Sequence, residues 1–186
     1  MTPEAVLDFW FADGPDTQRQ AWFLKDRAFD EALRERFASW VLAAKQGALD
    51  DWAVTPAGAL ALIILLDQVT RNIHRGTAES FEGDAQALRL ARQMTEVGND
   101  QRLTPTQRIF AYLPFEHSEA LPDQDRAVAL FEAMRDLPDT ATLIDFAHRH
   151  RVVIARFGRF PHRNPILGRA STPSEVAYLA QPGAGF

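Results

Sequence analysis

An all-α fold is the class this sequence predicts, and three observations carry it. Apolar residues recur at spacings of three and four along most of the chain, four Thr-Pro pairs stand where such runs begin, and no segment shows the strict alternation or the Asn-Gly and Asp-Gly turns of paired strands. Each of the pairs Thr2-Pro3, Thr55-Pro56, Thr104-Pro105 and Thr172-Pro173 reads as a helix start. The threonine hydroxyl accepts from an N–H of the first turn, and proline at the first helical position gives up only an N–H that has no intrahelical partner. In "TPTQ" and "TPSE" the third residue after threonine is Gln107 or Glu175, which completes a capping box.

The elements follow in order. "MTPEAVLDFWF" opens the chain as a helix and has no basic flank of an export signal. Phe29, Leu33, Phe37, Trp40, Val41 and Ala44 form one stripe, with Asp30, Glu31, Arg34, Glu35 and Arg36 opposite, so this is an amphipathic surface helix. Thr55 to Ile73 is apolar nearly all round as far as Leu66 and belongs in the core. A further helix is expected from Ser80 to Val97 with Gly98 as its C-cap, and another from Pro105 toward Ser118, kinked or interrupted at Pro114. Helices over Asp123 to Asp136 and Thr140 to Phe157, the second stopped by Gly158, precede a short last one from Thr172. Short connections imply antiparallel helical hairpins, about seven to nine helices in a bundle or superhelix. The 186 residues, 1–186, fit one domain.

Composition excludes several functions. The chain has no cysteine, which removes disulfides, thiolate metal sites and cysteine nucleophiles. Its longest apolar run, Ala59 to Leu66, is far short of the roughly 20 residues that span a bilayer, so no membrane partner is expected and the location is expected to be cytoplasmic. A net charge of −5 argues against a nucleic-acid coat. That charge is unevenly placed: from Phe146 to Ser174 there is no acid, yet Arg149, Arg151, Arg156, Arg159, Arg163 and Arg169 all fall there with His148, His150 and His162.

Three stretches could carry chemistry. In "LLDQVTRNIHRGT", Asp67, Arg71 and His74 are spaced i, i+4, i+7, and Gln68 and Asn72 form a parallel row. This flank is either an Asp67–Arg71 pair with amides tying down the next loop, or the wall of a pocket. "LPFEHSE" supplies Glu116, His117 and Glu119, residue types able to act as acid, base or ligand, but not at the spacing of a zinc protease. In "RFGRFPHRNPILGR", Pro161 and Pro165 bias Phe160 and Asn164 toward extended backbone, so an ordered loop follows Gly158, anchored by Phe157 and Phe160. His150 falls on the apolar stripe of the preceding helix, as a core histidine does. The forks of Arg156, Arg159 and Arg163 either clamp a carboxylate or phosphate, or lock the helices together by pairing with Asp67, Glu116 and Glu119. No nucleophile elbow, phosphate-binding loop or dinucleotide fingerprint is present, and no metal or cofactor is expected.

Taken together, "VLDFWF", "LLDQVTRNIHRGT", "LPFEHSE", "RFGRFPHRN", "LGR" and "STPSE" resemble domain of unknown function family 924, over nearly the whole chain. The resemblance implies a bacterial, tetratricopeptide-like helical repeat fold and no defined activity. Where the family has Phe-Pro, this chain has Val69-Thr70, so a straighter helix is expected there. Carried over residue by residue, the resemblance marks Asp67, Gln68, Arg71, Asn72, His117, Glu119, His150, Arg156, Arg159, His162, Arg163 and Asn164 as binding residues. Arg71, Arg156, Arg159 and Arg163 would clamp a small anion or an acidic peptide terminus, and His117 and His162 would orient it. Two alternatives stand beside that expectation. One is a hydrolase sharing acid–base work among Glu116, His117, Glu119 and His162; the other is a protein–protein scaffold whose motif charges are purely structural.

Overall fold

The computed structural model describes residues 1–22 and 24–185, which form helices and turns with no strand among the described residues. They group into two compact units, residues 1–75 with 79–114 and residues 76–78 with 115–186.

In the first unit, α1 (Pro3–Trp10) carries the "VLDFWF" motif. The motif is core: Trp10 stacks on Trp22 at 6.1 Å between ring centroids, and Trp10 and Phe11 both meet Phe110 edge-on. The Trp22 indole N–H donates to the Trp10 carbonyl at 3.1 Å, which fixes the turn between them. The amphipathic helix α2 (Arg27–Lys45) is capped by Asp26, whose carboxylate accepts from the N–H groups of Ala28 and Phe29. It buries Phe29, Leu33, Phe37, Val41 and Ala44, the stripe expected from spacing except for Trp40, which is half-buried.

The central rod is one helical run in three parts: α3 (Pro56–Ile63), a π-helical stretch Ile64–Val69, and α4 (Thr70–Ile73). In place of the expected straight α-helix, the Thr70 N–H and hydroxyl both donate to the Leu65 carbonyl, five residues back, the hydroxyl at 2.9 Å. This is how a π-bulge is accommodated without a proline. Helix α5 (Asp84–Glu96) starts four residues later than expected, after a 3-10 turn over Ala78–Phe81. Gly83 explains the entry. A Cβ at that position would lie 2.1 Å from the Leu66 carbonyl oxygen, so only glycine lets α5 begin against the central rod.

Helix α6 (Pro105–Glu116) contains Pro114 and continues past it, so of the kink or interruption expected there the interruption does not occur. Its capping box is formed: Gln107 accepts from the Thr104 N–H, and Thr104 accepts from the Gln107 N–H.

In the second unit, α7 (Leu121–Glu132) packs along α8 (Ala141–Phe157). Helix α7 begins two residues earlier than expected because Pro122 serves as a first-turn residue, and it ends at Glu132, four residues earlier than expected. Gly158 closes α8 at φ 68°, with its N–H on the Ile154 carbonyl. Phe160, wholly buried with Val153 and Ile154, anchors the loop that follows, and burial of its ring contributes about 2–3 kcal/mol. Helix α9 (Pro173–Leu179) begins with the expected Thr172–Glu175 capping box. All four Thr-Pro pairs therefore open helices. No helix among the described residues is long and apolar enough to cross a membrane.

Candidate functional site

The motif residues fall in both units, and each group has its own network. In the first unit, Asp67 is fully buried and Arg71 serves it. One Arg71 Nη1 donates to Asp67 Oδ1 at 3.0 Å and to Asp84 Oδ1 at 2.6 Å, while Nη2 donates to Asp84 Oδ2 at 2.8 Å. Burial alone would lower the Arg71 pKa, but the two aspartates outweigh it and raise the value, so the guanidinium stays charged. Gln68 donates to Asp67 Oδ2 at 2.5 Å. Asn72 donates to Asp30 at 2.8 Å, and the Arg75 fork closes on the same carboxylate at 2.9 Å. The Asp67–Arg71 pair of the first reading is present and Asp84 completes it, but the amides of Gln68 and Asn72 hold Asp67 and Asp30 where the next loop was expected. His74 is the C-cap of α4.

In the second unit the hub is Arg169. Its Nη1 and Nη2 donate to Glu119 at 2.7 and 3.0 Å, its Nε to Asn164 Oδ1 at 3.0 Å, and its Nη2 also to the Phe160 carbonyl. Glu119 accepts in addition from the Phe160 N–H at 2.8 Å. Burial would raise the Glu119 pKa; the Arg169 fork and the Phe160 N–H outweigh it and hold the carboxyl below its ordinary range. Asn164 is fully buried and reaches Ser171 through its amide nitrogen.

Arg159 closes on Glu175 at 2.6 and 2.8 Å and adds the Ala170 carbonyl. Glu175, only 2% exposed, also accepts from the Thr172 N–H, so the helix cap and the ion pair share one carboxylate. The Arg159 fork, then the Thr172 N–H, bring Glu175 down to about 2.

His117, His150 and His162 belong to the second unit. His150 is buried, as expected of a core histidine. Its Nδ1 stands 2.8 Å from the Phe146 carbonyl and 3.1 Å from Glu116 Oε1; a carbonyl only accepts, so the proton is on Nδ1. Burial lowers His150 to about 3, with His117, Arg163 and His162 adding to the fall. His162 is lowered to about 4, first by burial and then by Arg163. Arg163 donates to the His117 carbonyl at 3.0 Å and lies over the Phe160 ring. Gln124, buried, donates to the Glu116 and Ser118 carbonyls at 2.6 Å and finishes the end of α6.

Sequence expectation and geometry therefore differ in the pairing. Arg159 pairs with Glu175, where Asp67, Glu116 or Glu119 was expected. Glu119 takes Arg169, and Arg156 is exposed over the Phe157 ring with no ion pair among the described residues. Three residues were missed: Asp84, Arg169 and Glu175. Glu175 had a signal as the third residue of a capping box, and Arg169 had one as the last residue of "LGR"; Asp84 had none. No group of three metal-ligating side chains is found among the described residues.

A profile described as bacterial protein of unknown function, DUF924, matches residues 6–183. The chain belongs to this family. A solved structure of a protein of unknown function from Agrobacterium tumefaciens is 40% identical, covers 96% of each chain and superimposes with a TM-score of 0.85. Comparison with curated proteins gives no match. Membership of the family accords with the motif set, and the profile match runs from within α1 to beyond the end of α9.

Proposed function

We propose that this protein works by binding a partner at an outer surface, and that its motif charges are the internal clasps of a helical scaffold. The observation that supports this is the closure of the Arg71, Arg159 and Arg169 forks. Arg71, Arg159 and Arg169 each place guanidinium N–H groups on carboxylates of their own unit, whereas an arginine clamp for a free anion needs open donors. The tetratricopeptide-like resemblance points the same way, since such scaffolds present surfaces to partners. The test is Arg159→Ala, followed by thermal unfolding and by calorimetric titration with inorganic phosphate and with a short peptide ending in glutamate. A clasp predicts a lowered midpoint and no heat of binding in either protein. Binding by the parent that Arg159→Ala abolishes, with the midpoint within a few degrees, would establish the small-anion site instead.

A second reading, acid–base hydrolysis, has one observation in its favour. His117, His150 and His162 lie close enough to act on one another electrostatically, with Glu116 on His150. Turnover on a panel of phosphoesters, esters and amides, with a pH–rate profile set by an imidazole, would replace the binding reading.

A further inference from the structure

The clasps account for Arg159 and Arg169 but leave the stretch after α9 unexplained. Helix α9 is held to its unit by Tyr178, which meets the Phe157 ring at 5.2 Å and packs on the core of Val153, Ile154 and Phe160. The Gln181 N–H then donates to the Tyr178 carbonyl at 3.0 Å and the Ala184 N–H to the Gln181 carbonyl at 3.1 Å, so the chain turns back. The turn brings Gly185 down on His162. A Cβ at Gly185 would lie 3.3 Å from the His162 Cβ, 3.6 Å from its Cγ and 3.9 Å from its Nδ1, at a backbone φ of 86°. Glycine suits the position twice over, because the backbone is left-handed and the Cα rests against an imidazole. Although His162 as a whole is half-buried, its Nδ1 is shut off from solvent. Beneath Gly185 the rings are layered: His162 lies tilted on Phe160 at 5.6 Å, Phe160 meets His150 edge-on at 5.5 Å, and Glu116 stands 3.1 Å from His150. The turn is the outermost layer of this column.

The turn itself is lightly held. Gln181, Pro182 and Gly183 are exposed, and Ala184 and Gly185 are half-buried. Arg149 donates to the Gly183 carbonyl at 3.5 Å, longer than a usual hydrogen bond. A segment with so little apolar burial and exposed hydrogen bonds opens at a small fraction of the global stability, whereas α9 is fixed by Tyr178 and by the Glu175 clasp. We propose that residues 181–185 form a lid over His162 that lifts while α9 stays docked, so that a molecule approaching the Nδ1 side of this imidazole must first displace the turn. The lid goes beyond the outer-surface binding proposed above and does not depend on it: it governs how the covered side of His162 is reached, whatever that imidazole does once uncovered.

The experiment treats the full chain with diethyl pyrocarbonate, which acylates neutral imidazole, and reads the rate at each histidine by mass spectrometry. His148, whose side chain is 50% exposed, serves as the internal standard. Gly185→Val sets a Cβ against His162, while Gly183→Val strains the turn at φ 74° with nothing within 4 Å of its Cβ, and so lifts the lid without touching the histidine. Both variants should raise the rate at His162 roughly fivefold or more relative to His148, with circular dichroism and thermal midpoint unchanged. In the parent, the Ala184 amide should exchange with heavy water roughly tenfold or more faster than the Ala180 amide, whose N–H closes α9 on the Val176 carbonyl. A His162 rate unchanged in both variants overturns the lid, and so does equal exchange at Ala184 and Ala180. A rise at His162 matched by one at buried His150, with a lowered midpoint, overturns it too, because the turn would then be part of the core. None of these outcomes bears on the clasps, which stand or fall with Arg159→Ala and the substrate panel.

Discussion

Arg169 grips Glu119 with both terminal nitrogens, at 2.7 and 3.0 Å, across fifty residues of sequence. The same arginine holds Asn164 and the Phe160 carbonyl, so the loop after α8 and the segment after α6 are tied at one guanidinium. Arg169→Ala leaves Glu119 and the Phe160 carbonyl short of a donor in a partly buried setting. It should lower stability by about 1–3 kcal/mol, read from urea unfolding.

The Asp67–Arg71–Asp84 group makes an asymmetric prediction. Arg71→Met strands a fully buried carboxylate at Asp67 and should cost about 3–5 kcal/mol, whereas Asp67→Asn removes the buried charge and should cost much less. Equal losses in the two variants, measured by chemical denaturation, would contradict the geometry.

At Gly83 the backbone angle is ordinary and the space is not. Gly83→Ala drives a Cβ into the Leu66 carbonyl and should destabilise by about 1–3 kcal/mol or more. Gly98 has open space but φ 71°, so Gly98→Ala should show the smaller cost of backbone strain, about 1 kcal/mol. Thermal midpoints of the two variants rank the effects.

Acid should weaken the fold in two overlapping stages. His150 and His162 are lowered to about 3 and about 4 from 6.5, so between 6.5 and those values the unfolded chain binds protons that the folded chain refuses, and stability falls as pH falls. Glu119 and Glu175 are lowered too, Glu175 to about 2; their contribution is complete above the ordinary value of 4.5 and is lost as pH drops toward the folded values. His150→Asn, whose amide can still donate to the Phe146 carbonyl, should reduce the slope from pH 6.5 down to about 3, leaving the part that His162 and the two glutamates contribute. Urea midpoints across that range provide the measurement.

How much of this was legible in the sequence depended on whether the determinant was local. The Thr-Pro starts, the Gly158 stop, the α2 stripe and the Asp67–Arg71 pair lie within a turn or two of chain, and helical spacing alone places them. The π-helical stretch broke the assumption of a constant period, and nothing around Thr70 marks it except a hydroxyl that can reach back to Leu65. The choice of Glu175 for Arg159 and Arg169 for Glu119 was hidden for another reason. Charge types in a segment limit the possible partners, but the path of the loop between Phe160 and Ser171 selects among them.

The fifty-residue separation between Glu119 and Arg169 also sets an order of events in time. Helices α7 and α8 can pair through near neighbours as the chain collapses, but the clasp must wait until the intervening hairpin is in place and the loop has turned back. A contact made that late should be absent from the folding transition state, so Arg169→Ala should leave the rate of folding nearly untouched and accelerate unfolding, read from the two arms of a denaturant chevron. Glu119 and Arg169 thus act as the latch that governs how long the second unit, once formed, stays closed.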